Sequence, residues 1–279
     1  MIIDFHTHVF PPFIRDHRAS FFHNEPGFRL LYESAGSRLA DAEELLDTMD
    51  EEGIDRSVIF GFPWSTADHF RRHNDYIMDS ARRYPDRFTG FCCFDPLSKG
   101  APEEAERCLK AGSAGVGELA VYQRGFSVRV MEALKETMSV CLRYDAPVLL
   151  HTNEPVGHSY PGKQPMTLGQ LYRLLRRYPS NRVILAHWGG GLFFYLLMKK
   201  EVGEVMEKVW FDTAASPFLY SPDIYRAAGE IMGFDRILLG SDYPLIRPGR
   251  YFKEMQSAGL SPEAVQKISG LNAAALLQV

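Results

Sequence analysis

Eight short apolar runs, each rich in β-branched or aromatic residues, recur along this chain and alternate with helical patterns. They are Ile2–His8, Ser57–Phe62, Phe88–Phe94, Gly115–Val121, Pro147–Thr152, Val183–His187, Val209–Thr213 and Arg236–Ser241. Val183-Ile184-Leu185-Ala186 is apolar without alternation, which is how a strand buried on both faces reads. Strand alternating with helix eight times implies a parallel sheet. Eight units within 279 residues favour closure into one (β/α)8 barrel, a TIM barrel, as a single domain over residues 1–279.

The helical patterns carry their own punctuation. Asp41 and Glu44 have capping-box spacing ahead of Leu45, Leu46 and Met49, and Gly53 is placed to end that helix. Ser127 is placed to cap a helix with the stripe Met131, Leu134, Met138 and Leu142. Leu168, Leu171, Leu174 and Leu175 form another stripe, stopped before Pro179. Ser221-Pro222 and Ser261-Pro262 place proline at the first helical position after a cap. The stretch Pro11–Ala40 is too long for a plain loop and holds Phe13, Phe21, Phe22, Phe28 and Tyr32. It is either an active-site cover or a surface insertion packed on its own aromatics.

In such a barrel, chemistry sits at the C-terminal ends of the strands. Those ends carry His6-Thr7-His8, Glu118, His151, His187 and Asp242. The side-chain period of a strand is two, so His6 and His8 point the same way, and Asp4 shares their face one layer deeper. Burying so many ionisable groups together without a metal would be costly. Imidazole with carboxylate suits zinc, iron or manganese better than calcium. His17, His23, His69 and His73 lie in polar stretches and are expected to be solvated. Substrate-binding candidates are His158, Tyr160 and Lys163 after strand five, Arg124 after strand four, Arg247 after strand eight and Trp64 after strand two. Ordinary loop surface, or packing for Trp64, is the competing account of each.

Other schemes fit poorly. No G-x-S-x-G elbow and no glycine-rich phosphate fingerprint is present; Gly189-Gly190-Gly191 reads as a tight turn bringing backbone near the pocket. Cys92, Cys93, Cys108 and Cys141 include no C-x-x-C pair and read as reduced thiols. A net charge of −4 without a basic stripe gives no reason to expect nucleic acid. The N-terminus lacks the pattern of a secretory signal, and no run reaches the ~18 apolar residues of a membrane span. A cytoplasmic location is the expectation.

The set His-x-His, His151, His187 and Asp242, in strand order, resembles the amidohydrolase superfamily. It is most similar to the branch that includes aminocarboxymuconate semialdehyde decarboxylase. Supporting stretches are Glu52–Val58, Tyr84–Phe88, Ala186–Gly190, Gly240–Pro244 and Asn272-Ala273. The resemblance implies His6, His8, His151 and Asp242 as metal ligands. It makes His187 either a ligand of a second metal or a catalytic group. Many two-metal members bridge their ions with a lysine on strand four; Glu118 stands there instead, as in some related hydrolases.

The expected activity is therefore hydrolysis of an ester, lactone or amide of a small organic acid, with metal-activated water, Asp242 as proton shuttle and His187 assisting. The alternative is non-oxidative decarboxylation of an aromatic or muconate-type acid, with His187 or Asp242 supplying the proton. The expected cofactor is a divalent metal, zinc first, as one ion or two. The expected partner is a small anionic substrate, with no nucleic acid and no membrane; a homodimer is left open.

Overall fold

A computed structural model describes all residues 1–279. The eight runs form eight parallel strands in sequential order: β1 Ile3–His8, β2 Arg56–Phe60, β3 Phe88–Cys92, β4 Gly115–Leu119, β5 Val148–Leu150, β6 Val183–Leu185, β7 Val209–Asp212 and β8 Ile237–Leu238. The barrel closes between β8 and β1: the Phe5 amide donates to Leu239 O (2.7 Å), the Asp242 amide to His6 O (2.9 Å) and the His8 amide to Tyr243 O (2.7 Å). The short β8 is thus extended by irregular pairing through Tyr243, and the sequence Gly240–Pro244 is pinned to the end of β1. No helix is long and apolar enough to cross a membrane.

The helices form where the local signals place them. Asp41 accepts from the Glu44 amide (2.9 Å) and Glu44 accepts from the Asp41 amide (3.1 Å), a complete capping box. The helix Ala42–Glu52 then ends at Gly53, whose φ of 68° suits a residue without Cβ. A second capping box, Thr167 with Gln170, opens Leu168–Arg177; the stripe is found there, but this cap goes beyond the sequence reading. Ser261 caps as expected, accepting from the Ala264 amide at 3.2 Å. Ser127 stands at the N-cap without a side-chain bond, and Pro222 occupies a cap rather than the first helical position. All four cysteines are free and buried.

Residues 11–40 form short helices at Pro12–Arg15 and Pro26–Tyr32 with a turn between them. Phe28 is fully buried, its ring 4.4 Å from Trp64 and 5.3 Å from Phe62, both just past β2. Gly27 lies against Tyr122, just past β4. The segment therefore packs its aromatics on the loops at the C-terminal end of the barrel and covers its mouth. Glu25 anchors it: its buried carboxylate accepts from the amides of Ser65 (3.0 Å) and Thr66 (2.9 Å) at the start of the helix Ala67–Arg83, where a negative charge is favoured.

Strand closure leaves no spare room at Gly240. A Cβ there would stand 2.7 Å from His6 Cβ and 3.3 Å from Asp212 Cβ, all three inside the barrel. Gly240→Ala is expected to destabilise the fold by ~1–3 kcal/mol, the usual effect of overpacking a filled core. Urea unfolding checks this, and a change within experimental error would show that β1 and β8 can move apart freely.

Candidate metal centre

Six ionisable side chains meet at the C-terminal end of the barrel. His6 and His8 come from β1, Glu118 from β4, and His151, His187 and Asp242 from the residues following β5, β6 and β8. All but Asp242, which is partly covered, are buried. The chain is forced into position at two of them. His187, Trp188 and the three glycines after them all have positive φ, and so does Asp242. Left-handed backbone at a non-glycine residue is strained and concentrates at functional sites. The triple glycine accordingly makes the tight turn expected from the sequence.

Each histidine is oriented by one bond at its outward nitrogen. His6 Nδ1 donates to Asp212 Oδ2 (2.8 Å), His8 Nδ1 to Gly61 O (3.2 Å), His187 Nδ1 to Ala214 O (3.0 Å) and His151 Nε2 to Gly162 O (2.9 Å). Carbonyl and carboxylate oxygens have no proton to give, so each bond fixes one ring proton on the outward nitrogen and leaves the inward nitrogen to take a cation or a second proton. Those inward nitrogens then face one another and the carboxylates. His6 Nε2 lies 3.3 Å from His8 Nε2, and His187 Nε2 lies 3.3 Å from His151 Nδ1. Acceptors packed this closely repel unless a cation or a proton stands between them.

Glu118 divides the set in two. Its Oε2 lies 3.8 Å from the Nε2 atoms of both His6 and His8, and Asp242 Oδ1 joins that side at 3.5 and 3.4 Å from the same nitrogens. Its Oε1 lies 3.0 Å from His151 Nδ1 and 3.5 Å from His187 Nε2. Ligands held at ~2.1 Å from one ion stand roughly 3–3.5 Å apart. Each group is therefore spaced to hold a divalent cation of the nitrogen-and-oxygen-binding kind. The sequence resemblance grouped His151 with His6, His8 and Asp242; the structure sets His151 beside His187, across Glu118.

The electrostatics agree with a site built for positive charge. Burial opposes a charged His6, but Asp212 and Glu118 raise its pKa to about 10. Burial likewise opposes a charged His187, but Glu118 and Asp242 raise it to about 9. In the opposite sense, burial would push both carboxylates up. His151 and His6 instead hold Glu118 well below its ordinary range, and His8, His6 and His187 hold Asp242 below its own.

The remaining candidates are placed as follows. Trp64 is fully buried, its Nε1 donating to His73 Nδ1 at 2.9 Å, so it packs beneath the covering segment rather than walling the pocket. His73 is itself buried and donates to Val9 O (2.7 Å), which corrects the expectation that it is solvated. Arg247 turns away, its guanidinium bound to Glu51 and Glu52 at 2.5 Å each. Arg124 and His158 are exposed. Tyr160 donates to Glu154 at 2.8 Å, and Lys163 to the same carboxylate at 2.6 Å, so both are tied within their own loop. Asp4 accepts from the amides of His6 (3.2 Å) and Ser241 (2.9 Å), holding backbone rather than a ligand ring.

Sequence reasoning missed Asp212, the partner of His6. Its signal was present: a carboxylate at the end of the seventh apolar run. It also missed Tyr122 and left Tyr32 among the aromatics of the covering segment. The Tyr122 ring meets that of His151 edge-on at 5.3 Å.

Comparison with known proteins follows from this geometry. A curated relative, γ-resorcylate decarboxylase of Polaromonas sp. JS666, is 24% identical over 302 aligned positions, covering 87% of this chain and 89% of that one. The crystal structure of 5-carboxyvanillate decarboxylase from Sphingomonas paucimobilis superposes with a TM-score of 0.79 at 17% identity, over 100% of this chain and 99% of the other. Dihydroxybenzoic acid decarboxylase of Polaromonas sp. JS666, solved with manganese and 2-nitroresorcinol, gives 0.73 at 21% identity, over 99% and 96%. These structural likenesses establish the barrel fold. The family profile described as Amidohydrolase matches residues 3–279, nearly the whole chain. With the barrel and the strand-end ligand constellation in place, this chain belongs to the amidohydrolase family.

Proposed function

We propose that this chain is a metal-dependent, non-oxidative decarboxylase of an aromatic carboxylic acid. This corrects the expectation of ester, lactone or amide hydrolysis. The relative matched along almost the whole length is a decarboxylase, and so are the solved proteins named above. The inference from Glu118 to hydrolysis fails because a ligand set specifies what ions are held, not which bond is broken. The observation that carries the proposal is the match to a decarboxylase over 87% of this chain, joined to a cluster of inward-facing histidine nitrogens and carboxylates under an aromatic cover.

The residues proposed to hold divalent metal are His6, His8, Asp242 and Glu118 on one side, and Glu118, His151 and His187 on the other. Manganese is the first ion to test, because one solved relative contains it, with zinc, the sequence-based choice, second. A bound cation would supply an electrophilic anchor for the anionic end of the substrate and neutralise the two carboxylates. Asp242 is the proposed proton carrier. His187 could take that role only where its site holds no cation, because its Nδ1 is committed to Ala214 O and its Nε2 cannot bind a cation and a proton together. In the net reaction the bond to the carboxyl carbon breaks and its electron pair stays on the ring carbon. That carbon takes the proton, and carbon dioxide leaves.

The strip Phe194, Tyr195, Leu197 and Met198 is exposed and apolar, with 72% of Leu197 accessible. Such a patch supports the homodimer left open by the sequence.

Metal analysis after manganese loading should give about two ions per chain, as in other two-metal sites. One ion that Glu118→Ala does not disturb would overturn the bridged arrangement. Protons compete for the same lone pairs. Since the neighbouring carboxylates raise His6 to about 10 and His187 to about 9, binding should release protons at pH 7 and tighten as pH rises toward 9. Calorimetry in buffers of different ionisation enthalpy measures that release; none detected would mean the nitrogens are already bare.

Asp242→Asn, assayed as carbon dioxide release from hydroxybenzoates, should lose ~10²–10⁴-fold in rate, the usual worth of a positioned proton carrier. The variant must still hold its metal for the result to count. Near-normal turnover in that protein would remove Asp242 from the chemistry. Cleaved ester or amide as the product would remove decarboxylation itself.

A further inference from the structure

The phenol of Tyr251 stands between the loops that follow β7 and β8. Tyr251 sits on the helix Gly249–Ser257 and is fully buried. The start of that helix is fixed from outside the barrel: the Gly249 amide donates to Glu52, which together with Glu51 also holds Arg247. At the inner end, the Tyr251 hydroxyl accepts from the Ala215 amide (3.0 Å) and donates to Ser241 O (2.6 Å). A phenol keeps its single proton at neutral pH, so this hydroxyl has its donor committed and an acceptor position filled.

Both partners belong to peptide units whose other end serves the metal centre. The carbonyl of the Ala214–Ala215 peptide accepts from His187 Nδ1 (3.0 Å), while the N–H of that peptide goes to Tyr251. The carbonyl of the Ser241–Asp242 peptide takes the Tyr251 proton, while the N–H of that peptide goes to His6 O (2.9 Å). The bonds therefore run in one direction, from the His187 ring through two peptides and the phenol to the backbone of His6. Hydrogen bonds aligned in series polarise and strengthen one another. This series joins the two ligand groups that Glu118 divides. Two residues along it have left-handed backbone, Ala215 at φ 56° and Asp242 at φ 62°. Such backbone persists only where its surroundings hold it. Asp212 grips the same turn, its Oδ1 accepting from the His187 amide (2.9 Å) and the Ala214 amide (3.0 Å). That second bond fixes the preceding peptide, Thr213–Ala214, and leaves the peptide facing the His187 ring to Tyr251.

We propose that Tyr251 is a positioning residue of the metal centre, whose hydroxyl fixes the Ala214–Ala215 and Ser241–Asp242 peptides and so orients the His187 ring and the backbone that presents Asp242. The function of this device rests on the reading of the cluster as a metal site. The series of bonds itself belongs to the protein with or without metal.

The test compares Tyr251→Phe, which keeps the ring and removes the hydroxyl, with Tyr178→Phe, which loses a hydroxyl bonded to Met131 O outside this series. In metal-free protein labelled with 15N-histidine, the His187 Nδ1–H resonance is the one lost in His187→Gln. Tyr251→Phe should shift or broaden it, and Tyr178→Phe should leave it in place. By calorimetry, manganese affinity should fall ~10–100-fold in Tyr251→Phe, the usual effect of removing a group that orients a ligand. Tyr178→Phe should change it by less than about twofold. An unmoved His187 resonance would overturn the proposal, because Asp212 would then suffice. So would equal losses of affinity in both variants, or a moved resonance with affinity unchanged. Wild type that binds no manganese would sink the metal reading and leave the resonance to judge Tyr251. If Tyr251→Phe does not fold, hydrogen exchange in the wild type decides. The Ala215 and Asp242 amides should open together with equal protection, and independent opening would overturn the series.

Discussion

Histidine nitrogens and carboxylate oxygens crowded together at the barrel mouth are the constraint on which this molecule is organised. Four imidazole nitrogens and the oxygens of two carboxylates stand 3.0–3.8 Å apart within a largely buried volume. Such a cluster is unfavourable unless positive charge enters it. The closed barrel keeps the groups from relaxing apart. Strand pairing from β8 to β1 sets Asp242 against His6 and His8, while β4 to β6 bring Glu118 to His151 and His187. The scaffold holds a repulsive arrangement ready, and a cation is what makes it favourable.

The second layer is mostly backbone. Gly61, Gly162 and Ala214 offer only carbonyl oxygens, and Asp212 alone offers a side chain. These acceptors choose which nitrogen of each ring faces inward. His151 presents Nδ1, whereas His6, His8 and His187 present Nε2. The choice for His151 depends on the loop Asn153–Lys163 folding back to bring Gly162 O onto its ring. Tyr160 and Lys163 hold that loop through Glu154. Two residues selected as substrate binders are thus part of the frame that orients a ligand.

The cover is built by the same logic at lower charge. Glu25 satisfies the amides that open the helix Ala67–Arg83, and the aromatic rings around Phe28 and Trp64 fill the space beneath. Aromatic burial excludes water from the mouth, which strengthens every electrostatic interaction below it. It also packs the Tyr32 ring among Phe10, Phe28 and Phe62.

By itself, the sequence determined the barrel and the ionisable residues that meet at its rim. Strand identity follows from apolar runs that need burial on both faces. His6 and His8 share a face because a strand repeats every two residues, and strand-end position placed Glu118, His151, His187 and Asp242 on one rim. All of that is local periodicity plus one rule of barrel closure. Tertiary structure alone decided what depends on contacts between distant segments. It placed His151 with His187 rather than with the β1 pair, recruited Asp212 from 206 positions away to orient His6, and turned Arg247 to Glu51 and Glu52. It also buried His73 and Trp64 against each other. Those outcomes rest on which surfaces meet when the sheet closes, and no spacing along the chain records a distance through space.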